Sequence, residues 1–284
     1  MCIEYSVTFY IMLITSIIAI KIDKNKKNKS KEEVDGKLFK LFFITGMVTT
    51  FFGFLTTEIL TIFVPILLIL IIRKEEGRFD SLKNTFKFVI KSSVLWFVGY
   101  CSMWLTKWIL SSIVLHINAF EYVKDEFALR INGLQGLSSY QKLYGNVINR
   151  NLMGIPLIDF ISTNFEHWEI KSVLIIFIAL ILMFINWKEL KNKKYLIIFV
   201  LIAITPYIRY LVLANHSYRH AMFTFRDQII TIIVVTYIII DCFNYNLLFK
   251  KIKLTSFLKN KINKVDKYNM KSGEQSDFSN NSSI

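Results

Sequence analysis

The chain has 284 residues, of which 54% are hydrophobic and 25 are phenylalanine, with a mean hydropathy of +0.43 and a formal net charge of +14. This apolar content exceeds what a domain of this size needs for its core, which excludes a soluble globular protein. Glycine and proline are scarce and no alternating strand pattern indicates a barrel, so the sequence predicts an all-α integral membrane protein.

Seven apolar runs have the length expected of helices that cross or enter a hydrocarbon core of roughly 30 Å. In chain order they are residues 3–20, 41–55, 59–72, 92–115, 172–187, 195–213 and 229–243. The second and third runs are short and only residues 56–58 separate them. They form either a tight helical hairpin, which we favour, or a re-entrant pair that does not fully cross.

Lysine and arginine are concentrated in alternate connections between these runs. The basic segments are 21–40, 73–91, 188–194 and the tail from 250. By contrast, 56–58 and 116–171 lack a basic excess, and 214–228 is only slightly basic, with two arginines against one aspartate. Because loops retained in the cytoplasm carry the Lys/Arg excess, the alternation predicts an outer N-terminus and an inner C-terminus. Nucleic-acid binding is disfavoured, since the lysines are spread over several loops without interleaved aromatic residues.

Two parts follow from this organisation: a multi-pass membrane domain over residues 1–249 and a basic, partly disordered cytoplasmic tail over 250–284. The long outer loop, 116–171, contains Phe120, Val123, Phe127 and Ile131 at helical spacing opposite charged residues. This pattern predicts an amphipathic helix lying at the membrane interface over 117–131. Residues 154–165 suggest a second, shorter interfacial segment.

The outer segment 214–228 gathers an unusual number of charged residues between two apolar spans. If Asn215 or Ser217 caps the helix of the last span, one helical face carries five residues at intervals of three and four. These five are His216, Arg219, His220, Phe223 and Arg226. Arg219 and Arg226 would then be separated by roughly 10 Å along the helix, which fits a diphosphate or a phosphate plus a sugar.

Guanidinium groups suit phosphate because their forked donors form two hydrogen bonds at once, and a helix N-terminus adds free amide donors and a positive dipole end. The segment is therefore a candidate lipid-phosphate site. The alternative is that these residues anchor a helix at the lipid head groups without binding a substrate. The pair His216 and His220 has metal-ligand spacing but no third ligand at a suitable distance, so we expect neither a metal nor a cofactor.

Further charges lie deeper in the apolar runs, where an unpaired charge costs several kcal/mol. Lys107 lies mid-span, and Arg209 is placed to extend the cationic face of the outer segment inward. Glu58, in the connection between the second and third runs, is predicted to pair with either Lys107 or Arg209. Asp227 is predicted to pair with a cation of the helix bundle other than its neighbour Arg226.

Four stretches of the chain carry a resemblance to a known family. They read GMVTTFFGFLTTEILTIFVPILL (46–68), LWFVGYCSMWLTKWIL (95–110), FALRING (127–133) and PYIRYLVLANHSYRHAMFTFRDQ (206–228). Together they resemble a family of bacterial multi-pass membrane proteins that is similar in layout to the glycosyltransferase C superfamily. The resemblance implies a bacterial cytoplasmic membrane, a polyprenyl-phosphate-linked sugar as substrate, and a phosphate site in the fourth stretch.

The chain departs from that family in two ways. Where the family pattern has FDFLTTP, this chain has Gly53 and Glu58 in place of an Asp and a Pro. The acidic first outer loop, which supplies the catalytic carboxylate in the superfamily, would lie upstream of Met1, so the chain resembles a C-terminal portion. Three functional hypotheses stay open: a glycosyltransferase-like enzyme, an inactive relative, and a non-enzymatic transporter or lipid-handling protein. A transporter would be expected to show internal repeats and matching helix breaks, and the sequence shows neither.

The topology is tested with reporter fusions at Ser30, in a basic segment, and Asn146, in the long outer loop. The alternation of basic loops predicts that Ser30 reports the cytoplasm and Asn146 the opposite side. If both fusions report the cytoplasm, the assignment of the spans is wrong.

Overall fold

The computed structural model describes residues 2–25, 30–52, 57–132, 140–152, 185 and 193–243. These residues are almost entirely helical, and among them the sole strand-like feature is an isolated antiparallel bridge between Ile185 and Phe243. The predicted all-α class is confirmed for this part of the chain. The predicted span 172–187, the segment 154–165 and the tail 250–284 lie outside the described residues, except for Ile185.

The described helices follow one another closely along the chain. They are α1 (Cys2–Lys24), α2 (Lys31–Phe52), α3 (Leu60–Glu75), α4 (Leu82–Leu115), α5 (Ala119–Asn132), α6 (Tyr140–Leu152), α7 (Leu196–Val212), α8 (Ala214–Arg219), α9 (Ala221–Thr224), a 3-10 turn (Phe225–Gln228) and α10 (Ile229–Cys242). The chain divides into two compact units. The first is Met1–Lys171 with Lys193–Ile238, and the second is Ser172–Asn192 with Ile239–Ile284. All features discussed below belong to the first unit.

Within the described part of the chain, three helical stretches are long and apolar enough to cross a membrane, namely Ser6–Lys24, Leu82–Leu115 and Ala221–Cys242. Leu196–Val212 is apolar but shorter. α4 also carries exposed apolar side chains far along its length, such as Phe97 and Ile113, which are 60% and 63% exposed. Such continuous apolar surface is what a lipid-facing helix presents. The structure is thus compatible with an all-α membrane protein, and the number of seven spans stays a prediction.

Side-chain contacts show that successive helices run in opposite directions. Arg73, in the last turn of α3, donates to Asp23 at the end of α1 and to Asp35 at the start of α2, at 2.7 and 2.6 Å. Close to the other end of α2, Thr49 donates to Thr61 at the start of α3 at 3.0 Å. α2 and α3 are therefore antiparallel, as both the hairpin and the re-entrant pair require, and whether they cross the membrane fully stays a prediction.

The same level of the structure, which we call the Arg73 end, includes the starts of α4 and α7. The guanidinium of Arg73 lies 4.7 Å from the ring centroid of Phe88 in α4. The ammonium of Lys74 lies 5.5 Å from the ring of Tyr195, which directly precedes α7. Tyr237 of α10 donates to Glu75 at 2.8 Å. The Arg73 end thus joins six helices.

α2 and α4 pack against each other with almost no side chain between them. A Cβ atom at Gly46 would collide with the backbone carbonyl of Trp96, and one at Gly99 would collide with that of Phe43. Small residues allow helix backbones to approach closely, which is how helices associate in lipid where the hydrophobic effect between them is weak. Nearby, the hydroxyl of Thr50 donates to the carbonyl of Tyr100 at 3.0 Å.

Gly99→Ala should lower the free energy of unfolding by about 1–3 kcal/mol, because the added methyl forces two backbones apart. Unfolding of the purified protein in detergent, followed by circular dichroism, measures the change. Gly36→Ala is the matched control, since nothing lies within 4 Å of a Cβ built there. Equal stability of Gly99→Ala and the parent protein would contradict the close α2–α4 packing.

Candidate functional site

The outer segment 214–228 is not one continuous helix. α8 ends at Arg219, His220 interrupts the helix, and α9 leads into the 3-10 turn Phe225–Gln228 before α10 begins. Asn215 and Ser217 are buried inside α8, and Leu213 precedes it without a side-chain cap. The predicted cap and the predicted common helical face are therefore wrong.

The physical reason is that the polar side chains predicted to cap the helix bind elsewhere. Asn215 Nδ2 donates to the backbone carbonyl of Leu129 in α5 at 2.8 Å. Ser217 Oγ accepts a longer hydrogen bond, 3.4 Å, from Arg209 Nη1. Tertiary contacts thus replace the local hydrogen bonds that a capped helix would use.

Beneath α8 lies a buried ion cluster, which we call the Glu58–Arg209–Asp227 triad. Arg209 Nε and Nη2 donate to the two carboxylate oxygens of Glu58 at 2.8 and 3.0 Å. Arg209 Nε also lies 3.3 Å from Asp227 Oδ2. The three residues are 6%, 6% and 0% exposed, for Glu58, Arg209 and Asp227 in turn. The forked geometry is the strong form of an arginine–carboxylate pair.

Each member of the triad stands at a helix end whose dipole favours its charge. Glu58 lies in the turn before α3 and Asp227 in the turn before α10, whereas Arg209 lies in the last turn of α7. Partial positive charge at helix N-termini stabilises carboxylates, and partial negative charge at a C-terminus stabilises guanidinium. The triad therefore joins the ends of three helices at the level opposite the Arg73 end, which we call the Glu58 end.

These contacts decide three of the sequence predictions about deep charges. Glu58 pairs with Arg209 and Asp227 also contacts Arg209, as expected for a buried carboxylate. Lys107 donates instead to the backbone carbonyls of Thr50 and Phe51 at 2.8 and 2.9 Å, near the end of α2. Because Arg209 contacts two carboxylates, we assign it a structural role, in which it holds the helices together. The predicted inward extension of a cationic helical face to Arg209 is not observed.

Basic side chains from three helices surround α8, in what we call the cationic cluster: the half-buried Arg130 and the exposed Arg150, Arg219 and His220. The hydrogen bond from Asn215 to Leu129 holds the end of α5, with Arg130, against α8. The guanidinium of Arg150 in α6 lies 4.5 Å from the ring centroid of Tyr218, which neighbours Arg219. The one carboxylate in contact among the described residues is Glu126, 3.6 Å from Arg130.

The two predicted histidines differ in environment. His216 is buried, His220 is exposed, and their ring centroids lie 4.7 Å apart. Partial burial and the positive charges of Arg130 and Arg219 hold the pKa of His220 below its ordinary value. Within the described residues, no three His, Cys, Asp or Glu side chains converge as a metal site would require.

Arg226 is placed differently from Arg219. It lies in the 3-10 turn, half-buried, with its guanidinium 5.5 and 5.7 Å from the rings of Phe223 and Phe225. Cation–π contacts of this kind keep the side chain ordered without consuming its hydrogen-bond donors. Arg219 and Arg226 are thus both accessible, but they do not share the continuous helix that the 10 Å separation assumed.

Sequence reasoning missed Asn151, which fastens α6 beneath the cationic cluster. Its Nδ2 donates to the carbonyl of Ser217 at 3.1 Å, and its Oδ1 accepts from Thr224 Oγ1 at 2.5 Å. Gln228 Nε2 donates to its backbone carbonyl at 2.8 Å. Asn151 is fully buried. An asparagine in a polar helix gives no signal of such a role, because the partners are distant in sequence.

Comparison with known proteins gives no relative: no family model, curated protein or solved structure matches the chain significantly. The site has to be interpreted from its own residues.

Arg209→Ala should lower the free energy of unfolding by about 3–5 kcal/mol, because it leaves buried carboxylates without their cation. Unfolding in detergent measures the loss. Arg219→Ala removes an exposed cation of the next helix, α8, and should change stability by less than about 0.5 kcal/mol. Similar small effects of both substitutions would show that the triad does not brace the fold.

Proposed function

We propose that this protein is a glycosyltransferase-like protein of the bacterial cytoplasmic membrane that binds the phosphate of a polyprenyl-phosphate-linked sugar at the outer face. The phosphate contacts are assigned to Arg219, His220 and Arg130, with Arg226 as a further donor and the buried His216 as support for His220. The observation that carries the proposal is the convergence of cations from α5, α6 and α8 on one surface.

Like charges brought together without a matching number of carboxylates repel one another, and an anion removes that cost. Phosphate is suited to such a site because guanidinium groups bind two of its oxygens at once. Apolar groups near the cations in the chain favour a lipid-borne phosphate: Met222, two residues after His220, is 80% exposed, and Phe127, three residues before Arg130, is 47% exposed. These groups offer contact for an isoprenoid chain next to the cations.

The side of the membrane on which the cationic cluster lies is inferred from the distribution of Lys and Arg together with the directions of the helices. The Arg73 end is rich in Lys and Arg, including the segment 73–91, and the Glu58 end carries the less basic loops. The positive-inside tendency assigns the Arg73 end to the cytoplasm and the cationic cluster to the outer face. α6 packs at the Glu58 end and α7 begins at the Arg73 end, and the fifth predicted span, 172–187, lies between these two helices in the sequence.

A second candidate function is binding of the polyprenyl phosphate without glycosyl transfer, as in an inactive relative or a lipid-handling protein. It is favoured by the state of the buried carboxylates at the Glu58 end. Glu58 and Asp227 both contact Arg209, so neither is placed as a general base or nucleophile. Hydrolysis or transfer of the sugar from a polyprenyl-phosphate sugar by the purified protein would distinguish the two functions.

Replacing Arg219 with Ala should weaken binding of polyprenyl phosphate about tenfold, since a charge-assisted hydrogen bond contributes about 1.5–3 kcal/mol. Arg219→Lys should restore part of the affinity, because it keeps the charge and loses the fork. Arg226→Ala should also weaken binding. Affinity is measured on the purified protein in nanodiscs, with neutral polyprenol as the reference ligand.

Lys124→Ala is the matched control for these variants. Lys124 is an exposed cation of α5 outside the cationic cluster, so its loss changes the net charge equally. Equal affinity for the phosphate and the neutral lipid, or equal losses in Lys124→Ala and Arg219→Ala, would leave the arginines as interfacial anchors without a phosphate site.

A further inference from the structure

A cavity of about 360 Å³ lies between the first turns of α2 and α4, at the Arg73 end. It is therefore remote along the helices from the cationic cluster. Its lining from α2 includes Lys31, Asp35, Gly36 and Phe39, and its lining from α4 includes Asn84, Lys87, Phe88 and Lys91. This volume falls within the range of small-molecule sites in proteins.

The cations of the cavity are of two kinds. Lys31 forms ion pairs with Asp80 and Asp35, and Asp35 also accepts from Arg73, so these charges are already balanced. Lys87 and Lys91 are exposed on α4, and among the described residues neither has an ion pair. Glu32 on the α2 side is the opposing carboxylate. Two lysines therefore remain to hold an anion.

The inner part of the cavity is apolar and has open space. The ammonium of Lys91 lies 4.5 Å from the ring centroid of Phe39, and Phe39 and Phe88 lie 5.7 Å apart. A Cβ built at Gly36 meets nothing within 4 Å. A ligand of this cavity would therefore combine an anionic part, held by Lys87 and Lys91, with an apolar part against the two phenylalanines.

The stripe of α4 that lines the cavity continues as lipid-facing surface. Asn84, Lys87 and Lys91 are followed at helical spacing by Val94 and Val98, which are 53% and 47% exposed. An acyl chain can therefore run along α4 directly from the cavity toward the middle of the predicted span. A free anion would not use this surface, which favours a lipid as the occupant.

We propose that the cavity between α2 and α4 binds the phosphate head group of an anionic phospholipid, with Lys87 and Lys91 as phosphate ligands. The glycerol backbone packs on Phe39 and Phe88, and an acyl chain follows Val94 and Val98. Basic recesses between membrane helices are known to hold anionic head groups by the same combination of charge and shape. Bound lipid would contact both α2 and α4, because both helices line the cavity.

The test compares binding of phosphatidylglycerol and phosphatidylcholine to the full chain in neutral detergent, measured by native mass spectrometry. Phosphatidylglycerol should bind more tightly, and the double variant Lys87→Ala/Lys91→Ala should lose about tenfold or more of that affinity. Gly36→Leu should reduce it similarly, because the new side chain fills the open space without changing charge. Leucine also favours the helix over glycine, so folding is preserved.

The control is Lys40→Ala/Lys83→Ala, which removes two exposed lysines of the same helices outside the cavity lining. It should retain the parental affinity, as should Arg219→Ala, which alters only the outer site. Losses in the control equal to those of Lys87→Ala/Lys91→Ala would reduce the effect to net charge and overturn the proposal. Displacement of the lipid by excess inorganic phosphate, with no effect of Gly36→Leu, would assign the cavity to free phosphate and also overturn it.

Discussion

The Glu58–Arg209–Asp227 triad is the interaction on which the Glu58 end of this protein depends. A deeply buried charge is tolerated only beside a charge of opposite sign, and here one guanidinium donates to Glu58 and also lies beside Asp227, which belongs to a different helix end. The pairing fixes where α7 stops relative to α3 and α10. Because Arg209 also reaches Ser217, the start of α8 is held in place, and the exposed cations of the cationic cluster are carried on a rigid support.

The two ends of the helices use charge for different purposes. At the Arg73 end, Arg73 and Arg78 both bind Asp23, so the aspartate at the end of α1 is fully paired. From the sequence alone, Arg73 and Arg78 would count as unpaired charges next to the membrane, but in the structure both form ion pairs. Lys87 and Lys91 remain exposed beside it, which is why an anion site is inferred there. At the Glu58 end, one buried guanidinium is already engaged with two buried carboxylates, so the surface cations are the ones left for a ligand.

Much of the fold could be predicted because apolar runs and basic loops are local signals: α3, α4, α7 and α10 overlap the predicted spans. The break at His220 could not, since residues 214–228 contain neither glycine nor proline and the periodicity favours a continuous helix. Because an unpaired charge in the apolar interior is costly, the candidate partners of Glu58 could be limited to Lys107 and Arg209. The choice of Arg209 depends on a contact between residues 151 positions apart in the chain, and a single sequence contains no local pattern that identifies such a contact.

A double-mutant cycle between Glu58 and Arg209 tests the central claim most directly. Glu58→Leu, Arg209→Leu and the combined variant are unfolded in detergent under the same conditions, and their changes in free energy are compared. Arg209→Leu leaves the buried carboxylate of Glu58 without its cation, and Glu58→Leu removes the carboxylate to which Arg209 donates. We therefore predict that the double variant is less destabilised than the sum of the singles, by about 2–3 kcal/mol. Additive changes, with a coupling below about 0.5 kcal/mol, would contradict a buried ion pair that braces the fold.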